Sequence, residues 1–326
     1  MVYEALNELG EKKYPMVIIL NDNEMSISKP IGAVSRILSS AMASPFYQTF
    51  KKHTENFVDN FGEGAHYIAK RMEESLKLIT PGIMFEEMGV DYIGPVDGHD
   101  MESLIQVFQL AKDLKKPVIV HVQTIKGKGY EIAEGHDEKW HGVGPFDISD
   151  GKSAKKATAK SATQIYSDAL LALAKKDEKI VGVTAAMPSG TGLSELIALY
   201  PDRFWDAAIA EQHAVTSMAA LAKEGFKPFC TIYSTFLYCF YDQVIHDVCI
   251  LNLPVVFALD RAGIVGEDGE THQGVFDISF LRLIPNMTLF APRDEKSFYH
   301  AMEFAAQYDK ACAIRYPRGS FSDFEM

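Results

Sequence analysis

The stretch LPVVFALD, residues 253–260, has the length and apolar composition of a β-strand that is buried on both faces. Runs of the same kind occur at MVIIL (16–20), PVIVHV (117–122), KIVGVTA (179–185), KPFCTIYS (227–234) and MTLFAP (287–292). Stretches with helical spacing lie between these runs. Short buried strands that alternate with helices predict an α/β fold, in which mostly parallel sheets are flanked by helices. In such folds ligands bind beyond the carboxyl ends of the strands.

A polar segment, DGKSAKKATAKSA at residues 150–162, interrupts this alternation. It is rich in lysine and alanine and has no strand pattern, which is typical of a linker. We therefore expect two α/β units, at residues 1–149 and 161–326, joined by a linker at 150–160. An exposed basic helix end is the alternative interpretation of this segment.

The composition limits the class of protein. With 47% hydrophobic and 23% charged residues, the chain has the make-up of an ordinary soluble globular protein. The net charge of −12 argues against a nucleic-acid-binding protein, which normally carries a basic face, but leaves anionic small molecules open as ligands. No C-x-x-C pair, membrane-length apolar run or signal-peptide pattern is present. These features predict a cytoplasmic protein without nucleic-acid or membrane partners.

The first ten residues, MVYEALNELG, are predicted to form a helix that ends at Gly10. No strand pattern precedes this helix, although the run at residues 16–20 needs neighbouring strands. We therefore expect the chain to be part of something longer.

In the first half of the chain, polar loops follow strand-like runs. Asn21, Asp22 and Asn23 come directly after the run at 16–20 and offer the oxygen ligands that Mg²⁺ prefers, although an Asx turn is the alternative. The segments 91–100 and 124–131 are predicted as further loops. Lys126 and Lys128, which lie among glycines, are candidates to meet a diphosphate, and solvated lysines are the alternative.

In the second half, positive charges and acids follow predicted strands. Arg261, Asp268 and His272 lie in the glycine-rich loop after residues 253–260, and the stretch IRYPRGS (314–320), which ends another predicted strand, holds Arg315 and Arg318. Arginines at strand ends suit phosphate capture because the guanidinium fork matches phosphate oxygens. We therefore expect a cleft for an anionic substrate, against the alternative of solvated arginines.

Glu211 stands in AIAEQHAV, where a run of small apolar residues meets a predicted helix start. A glutamate favoured by the helix macrodipole is the plain alternative. A carboxyl group that enters the cleft from the first turn of the helix is the functional interpretation.

The motifs LNDNEMSIS, YIGPVDGHD, KGKGYE, AIAEQHAVT, YSTFL, DRAGIVGEDGETHQGVFD and RYPRG occur together and in this order. The chain thereby resembles the family of 1-deoxy-D-xylulose-5-phosphate synthases, which are thiamine-diphosphate enzymes of the transketolase type. The resemblance implies two thiamine-diphosphate-binding-fold units, namely the later part of a diphosphate-binding domain at 1–149 and a pyrimidine-binding domain at 161–326. It implies decarboxylation of pyruvate and transfer of the two-carbon unit to D-glyceraldehyde 3-phosphate, for isoprenoid, thiamine and pyridoxal synthesis.

The resemblance also implies roles for individual residues. The implied cofactor-binding residues are Asn23, Ile27, Tyr130, Met187, Glu211 and Phe236, and the implied Mg²⁺ ligands are Asn23 and the backbone carbonyl of Met25. The implied substrate-binding residues are Tyr233, Arg261, Asp268, His272 and Arg318. Glu211, His272 and His141 are the implied catalytic residues, and a homodimer is the implied assembly.

Departures from the family pattern lead to further expectations. Cys239 stands where the family has an arginine that contacts the substrate phosphate, so phosphate binding is expected to be weaker. The family's Gly-Asp-Gly motif is expected before the first residue and its C-terminal domain after the last one, so the chain alone is expected to be inactive or impaired. A transketolase, a 2-oxo-acid dehydrogenase E1 subunit and a non-catalytic or split-subunit paralogue remain alternatives.

Overall fold

All pairings between the strands in the described part of the chain are parallel. The computed structural model describes residues 2–23, 82–135, 140–153, 160–266 and 268–321. The α/β fold with parallel sheets and flanking helices is therefore confirmed. The chain divides into two compact units, with Trp140 in the first and His141 in the second. The boundaries at 149 and 161 stay a prediction, and residues 154–159 of the predicted linker lie outside the described residues.

The first unit contains a three-stranded sheet in the order β1–β3–β2. Its strands are β1 (Val17–Asp22), β2 (Asp91–Asp97) and β3 (Val118–Gln123), and its helices are α1 (Val2–Lys12), α2 (Ile83–Glu87) and α3 (Met101–Asp113). In this register Gln123, the last residue of β3, pairs with Asp22 on one side and with Asp97 on the other. The three strands therefore end at the same edge, and the loops after β1 and β3 begin side by side.

Two sequence-based predictions for this unit were wrong. The segment 91–97 was predicted as a loop but forms β2. Its Gly94 and Pro95 argue against a central strand, but β2 lies at the edge of the sheet formed by the described residues, where a residue without an N–H group is tolerated. The register shifts at this point, between Ile93 and Val96.

Gly10 does not end α1, which continues to Lys12. A Cβ atom at Gly10 would lie 1.8 Å from the carbonyl oxygen of Met88. The glycine is therefore required because the helix passes close to the backbone that follows α2, and not as a cap.

The second unit contains a six-stranded sheet in the order β5–β4–β6–β7–β9–β8. The strands are β4 (Ile180–Thr184), β5 (Phe204–Asp206), β6 (Lys227–Tyr233), β7 (Val256–Asp260), β8 (Thr288–Phe290) and β9 (Cys312–Arg315). The α-helices are α4 (Ala162–Lys176), α5 (Ser194–Leu199), α6 (Glu211–Lys223), α7 (Tyr241–Gln243), α8 (Asp277–Leu281) and α9 (Glu295–Gln307). A 3₁₀ segment (Ser234–Phe240) precedes α7, a π-helical segment (Val244–Cys249) follows it, and a 3₁₀ turn (Glu270–His272) lies between β7 and α8.

Two apolar clusters cover the two faces of this sheet. One contains Val183, Phe257 and α6 residues such as Met218, and the other contains α4 residues such as Leu170 together with Val256. Burial of each such side chain contributes about 1.5–3 kcal/mol relative to exposure. Both faces are therefore closed to water, and polar side chains collect where the strands end.

Side-chain caps define where the helices on one face begin. The Ser161 hydroxyl accepts a hydrogen bond from the backbone N–H of Gln164 (3.2 Å) at the start of α4. Asp294 and Ser297 form a capping box at the start of α9. Each cap is worth about 1 kcal/mol, and the first one sets the position of the residues that follow Ser161.

No helix in the described part of the chain has the length and apolar character needed to cross a membrane. The cytoplasmic location stays a prediction.

Candidate active site

The candidate site of the second unit lies at the carboxyl edge of its sheet. Three central strands end there, β6 at Tyr233, β7 at Asp260 and β9 at Arg315. Arg261 follows β7 directly, and Arg318 lies three residues after β9. The parallel arrangement therefore brings together loops that are far apart in the sequence.

Arg261 has an unusual backbone conformation that its neighbour Asp260 stabilises. Its φ angle is 57°, in the left-handed region, which costs a non-glycine residue about 1–2 kcal/mol. Its backbone N–H donates to Asp260 Oδ1 (2.7 Å), and its Nη1 lies 3.0 Å from Asp260 Oδ2. Nη1 also donates to the carbonyl oxygen of Gly190. The guanidinium is therefore held on one side by an acid and a carbonyl group.

Two further groups contact the Arg261 guanidinium. Its central carbon lies 4.0 Å from the centre of the Tyr233 ring, a cation–π contact worth about 0.5–2 kcal/mol. Its Nε lies 3.8 Å from Asp268 Oδ2 and has no hydrogen-bond partner within the described residues. Asp268 Oδ1 in turn lies 2.6 Å from Nη1 of Arg318. One carboxylate therefore lies between two guanidinium groups.

An aromatic cluster continues from Tyr233. The ring of Phe236 stacks on that of Tyr233, with centroids 5.9 Å apart. The His272 ring lies edge-on to both, with its centroid 5.4 Å from that of Phe236 and 6.2 Å from that of Tyr233. Nδ1 of His272 lies 2.9 Å from the Thr271 hydroxyl, and the Thr235 hydroxyl donates to the Thr271 carbonyl (2.9 Å). These bonds hold the turn that carries His272 against the segment that carries Phe236.

A cavity of about 670 Å³ opens beside the two arginines. Its lining includes Ser161, Thr163, Gln164, Ser189, Arg261 and Arg318. Hydroxyl and amide groups thus face the cavity together with two guanidinium groups. A small anionic molecule that carries hydroxyl groups matches this lining.

Glu211 is the first residue of α6 and is largely buried. Burial raises the pKa of its carboxyl group, against the opposing effect of a hydrogen bond with its own backbone amide. In the described part of the chain, that amide is the carboxyl group's hydrogen-bond partner. Burial therefore outweighs the hydrogen bond with the backbone amide, and the pKa of the carboxyl group is raised.

The start of α6 packs on the 3₁₀ segment that holds Phe236. Gln212 Nε2 donates to the carbonyl oxygen of Cys239 (2.6 Å). Burial raises the pKa of the Cys239 thiol, and the charge of Glu211 raises it further. Cys239 therefore lies close enough to Glu211 for the two groups to interact electrostatically.

Met187 is buried in the same apolar cluster as Tyr233, and Phe236 packs against this cluster. The apolar support predicted at Met187 is therefore on the same side of the sheet as the aromatic pair. The binding roles of these residues stay predictions.

The residues predicted for the diphosphate side lie in the first unit, where Asn23 directly follows β1. The Thr124 hydroxyl, which follows β3, donates to Asn21 Oδ1 (2.8 Å). Tyr130 lies edge-on to Trp140, with ring centroids 5.6 Å apart. Lys128 is paired with Glu134 at 3.0 Å. Loops from two adjacent strands thus meet at the edge predicted for the cofactor.

Two predicted residues of this side, Met25 and Ile27, lie outside the described residues. Across the ranges that the structure describes, no three His, Cys, Asp or Glu side chains come together as a metal-binding group. Asn23 is therefore the described member of the predicted Mg²⁺ ligand set.

His141, the third predicted catalytic residue, is exposed at the start of the second unit. Its role in assisting proton transfers stays a prediction.

Two sets of polar residues were missed by reasoning from the sequence. His121 is fully buried on β3, with Nδ1 2.6 Å from the Tyr92 hydroxyl and Nε2 3.0 Å from Asp22 Oδ2. Asp260 is fully buried and accepts a hydrogen bond from Thr163 (2.7 Å). The signal for Asp260 was an acid at the end of an apolar run, directly before an arginine. The partners of His121 lie on other strands and left no signal.

Comparison with known proteins gives the following matches. Residues 158–322 match the family described as "Transketolase, pyrimidine binding domain", and residues 1–124 match the family "1-deoxy-D-xylulose-5-phosphate synthase". The chain is 84% identical over 326 residues to the 1-deoxy-D-xylulose-5-phosphate synthase of Sulfurimonas denitrificans, covering 100% of this chain and 54% of the relative. It is 69% identical over 321 residues to the protein of that name from a Nitratiruptor species, covering 98% of this chain and 54% of the relative.

The chain thus spans about half the length of the curated relatives it matches. Among solved structures, a split-gene transketolase described as an inactive beta4 tetramer overlays with a TM-score of 0.46 and 26% identity, over 52% of this chain and 54% of the other.

Proposed function

This chain belongs to the family of the transketolase pyrimidine-binding domain, and from its similarity to 1-deoxy-D-xylulose-5-phosphate synthases we propose that it catalyses the decarboxylation of pyruvate and the transfer of the two-carbon unit to D-glyceraldehyde 3-phosphate. The products are CO₂ and 1-deoxy-D-xylulose 5-phosphate, a precursor for isoprenoid, thiamine and pyridoxal synthesis. The observation that carries the proposal is the continuous set of contacts from Arg318 through Asp268, Arg261 and Tyr233 to Phe236 and His272.

Thiamine diphosphate supplies the carbanion chemistry of such enzymes when it is bound. The residues on its pyrimidine side fit this group. Glu211 offers a buried carboxyl group whose hydrogen-bond partner, within the described residues, is its own amide, so it is available to bond a ring nitrogen. Phe236 offers a partly buried ring, and Met187 offers apolar support.

The raised pKa of Glu211 suits it to hold and return a proton at that ring nitrogen. A carboxyl group buried among apolar residues keeps its proton at a higher pH than a solvated one. The ideal acid or base has a pKa close to the working pH, and a positioned group of this kind contributes about 10²–10⁴-fold to the rate. Glu211 is the proposed catalytic residue on this side.

Mg²⁺, if bound, would supply the positive charge that a diphosphate needs, and residues of the first unit are proposed to hold it. Asn23 and the backbone carbonyl of Met25 are its proposed ligands, and Ile27 and Tyr130 are proposed to contact the cofactor. The support for this side is the position of Asn23, at the sheet edge where β1 and β3 end together.

The phosphate of the aldehyde substrate is proposed to bind between Arg261 and Arg318. The Asp268 carboxylate now lies between these two groups, so an incoming phosphate competes with it for the guanidinium N–H donors. Tyr233 and His272 complete the proposed substrate site. His272 and His141 are proposed to assist proton transfers, the first beside the aromatic pair and the second from its exposed loop.

The two units are proposed to be two thiamine-diphosphate-binding folds, within a protein that acts as a homodimer. Support comes from the parallel sheets of both units and from the family matched by residues 158–322. Size-exclusion chromatography with light scattering measures the assembly directly, and a monomer in the presence of cofactor would contradict the dimer.

The activity is tested on the complete product of the gene that encodes this chain, with the 326-residue chain assayed in parallel. Purified protein is mixed with Mg²⁺, thiamine diphosphate, pyruvate and glyceraldehyde 3-phosphate, and 1-deoxy-D-xylulose 5-phosphate is measured by mass spectrometry. Formation of the product supports the proposal. Turnover of xylulose 5-phosphate without turnover of pyruvate would show a transketolase instead. No turnover of either donor, with cofactor bound, would favour a non-catalytic chain.

A further inference from the structure

We propose that Asp260 is a positioning residue, which holds the Arg261 guanidinium at the cavity wall in the orientation that receives the anionic group of the substrate. This inference rests on the proposed function, because it assigns a role to a residue behind the proposed phosphate site. Asp260 itself lies outside the cavity lining and acts through Arg261.

Asp260 is buried completely, and both of its carboxylate oxygens are engaged. Oδ1 accepts from the backbone N–H of Arg261 (2.7 Å). Oδ2 accepts from the Thr163 hydroxyl (2.7 Å) and lies 3.0 Å from Nη1 of Arg261. The carboxylate thus binds the backbone and the side chain of the same arginine, and Thr163 fixes it from the first turn of α4.

The backbone bond matters because Arg261 has a φ angle of 57°. This conformation is unfavourable for a residue with a Cβ atom and persists only where surrounding bonds stabilise it. Without the Asp260 acceptor, the backbone would relax and carry the start of the arginine side chain away from the cavity. The position of the guanidinium therefore depends on a residue that the substrate does not touch.

The side-chain bond has a separate effect. Arginine loses much rotamer freedom when it is ordered, and a ligand that orders it must offset that loss. Asp260, the Gly190 carbonyl and the Tyr233 ring together hold the guanidinium before any ligand arrives. Its Nε has no partner within the described residues and lies on the side of Asp268. Pre-organisation of this kind increases affinity without adding a contact to the ligand.

The same unit offers a matched pair for comparison. Asp277 is buried and bonds Arg315 through Nε (2.9 Å) and Nη2 (3.3 Å). Neither residue lines the cavity. A purely structural role for Asp260 predicts that the two buried acids behave alike when they are replaced.

The test compares Asp260→Asn with Asp277→Asn in the complete protein. Affinity for inorganic phosphate is measured by titration calorimetry, and kcat and KM are measured for both substrates. Asp260→Asn is expected to weaken phosphate binding and to raise the KM for glyceraldehyde 3-phosphate by roughly tenfold to a hundredfold, the range for one lost charge-assisted bond. The KM for pyruvate is expected to stay unchanged. Asp277→Asn is expected to lower the melting temperature and to leave phosphate affinity unchanged.

A second variant covers the case in which Asp260→Asn does not fold. Thr163→Val removes one donor to Asp260 and keeps the charge, and a severalfold loss of phosphate affinity is expected, again without a change in the KM for pyruvate. The inference would be overturned if phosphate affinity stayed unchanged in whichever of Asp260→Asn and Thr163→Val folds. An equal loss in Asp277→Asn, or no phosphate binding by the unmodified protein, would also overturn it. Failure of the proposed function gives a different result, namely no product although phosphate binds and Asp260→Asn weakens it.

Discussion

Nη1 of Arg318 lies 2.6 Å from Oδ1 of Asp268, and this pair connects the loop after β9 to the loop after β7. The other oxygen of the same carboxylate faces Arg261 at 3.8 Å. The cavity wall therefore carries two guanidinium groups with one carboxylate between them. The phosphate proposed to bind here would have to displace Asp268 from both arginines.

Arg318→Lys is expected to keep the positive charge at this position but to remove the planar guanidinium group. A lysine presents a point charge, so the two parallel hydrogen bonds to phosphate are lost. We expect the KM for glyceraldehyde 3-phosphate to rise about tenfold, with kcat changed less, as measured by steady-state kinetics. Arg203→Lys is the control, because Arg203 bonds the carbonyl oxygens of Ala174 and Asp177 and does not line the cavity. An equal effect of both changes would contradict the assignment of Arg318.

Glu211→Gln is expected to lower turnover by about 10²–10⁴-fold, since it removes the proposed proton-holding group. Stability is expected to be unchanged or higher, because the buried carboxyl group with its raised pKa is no longer desolvated. Single-turnover kinetics and thermal unfolding measure the two effects. Glu195→Gln, at an exposed position in the first turn of α5, is the matched control and should change neither. Near-normal turnover in Glu211→Gln would rule out the proposed role.

Gly190→Ala is expected to displace Tyr233. A Cβ atom at Gly190 would lie 2.0 Å from the Tyr233 hydroxyl oxygen, so the ring under Arg261 has to move. Overpacking of this kind costs about 1–3 kcal/mol of stability, and phosphate affinity should fall with it. Urea unfolding and phosphate titration check both results. Gly144→Ala, where nothing lies within 4 Å of the added carbon, should leave both unchanged.

The pKa of Asp260 predicts the pH dependence of stability. Burial raises this pKa from 3.8 to about 6, against the opposing effect of Arg261. Because the folded-state pKa is the higher one, the folded state binds the proton more tightly. The stabilisation is therefore complete below pH 4 and is lost as the pH rises through 6.

Two pKa units correspond to about 3 kcal/mol. The free energy of unfolding of the unmodified protein, relative to Asp260→Asn, should fall by about this amount between pH 4 and pH 7. Urea unfolding across this pH range measures the difference. A difference that grows with pH would show that Asp260 is stabilised as the anion instead.

Cys239→Arg is expected to restore the arginine that the family resemblance places at this position. The KM for glyceraldehyde 3-phosphate should fall by about tenfold or more, since one charge-assisted bond is worth roughly tenfold to a hundredfold. Because Cys239 and Glu211 interact electrostatically, the new positive charge should also lower the pKa of Glu211 and shift the acid limb of the pH–rate profile to lower pH. Cys239→Ala is the control for loss of the thiol. If the KM is unchanged in Cys239→Arg, residue 239 does not contact the substrate phosphate.

The strands were predictable because a buried strand in a parallel sheet is a short apolar run, and β3, β4, β6 and β7 all have this pattern. Two strands were not predicted: β5, which has only three residues, and β2, whose Gly94 and Pro95 are tolerated at the edge of the sheet that the described residues form. The sequence of a single strand does not show which strands lie beside it in the sheet. An edge strand with a proline was therefore indistinguishable from a loop.

The candidate site was predictable in its residue types and only partly in its arrangement. Arg261, Asp268 and Arg318 were identified from their position after strands, and the structure joins them through one carboxylate. Asp260 and Thr163 were missed because their importance comes from a contact between residues 97 positions apart. No local pattern marks a threonine at the start of a helix as the partner of an acid at the end of a strand.

The sequence by itself determined the fold class, the family and the charged residues at the strand ends. Apolar periodicity and short sequence motifs are local properties of the chain, so they can be recognised without the structure. Only the tertiary structure decided which of those charges face each other and which are neutralised. It decided that Glu211 is buried, which raises the pKa of its carboxyl group, that Asp268 lies between two arginines, and that Asp260 bonds both the backbone and the side chain of Arg261. Desolvation and ion pairing depend on what lies within a few ångströms in space, and parallel strands bring together residues that the sequence keeps far apart.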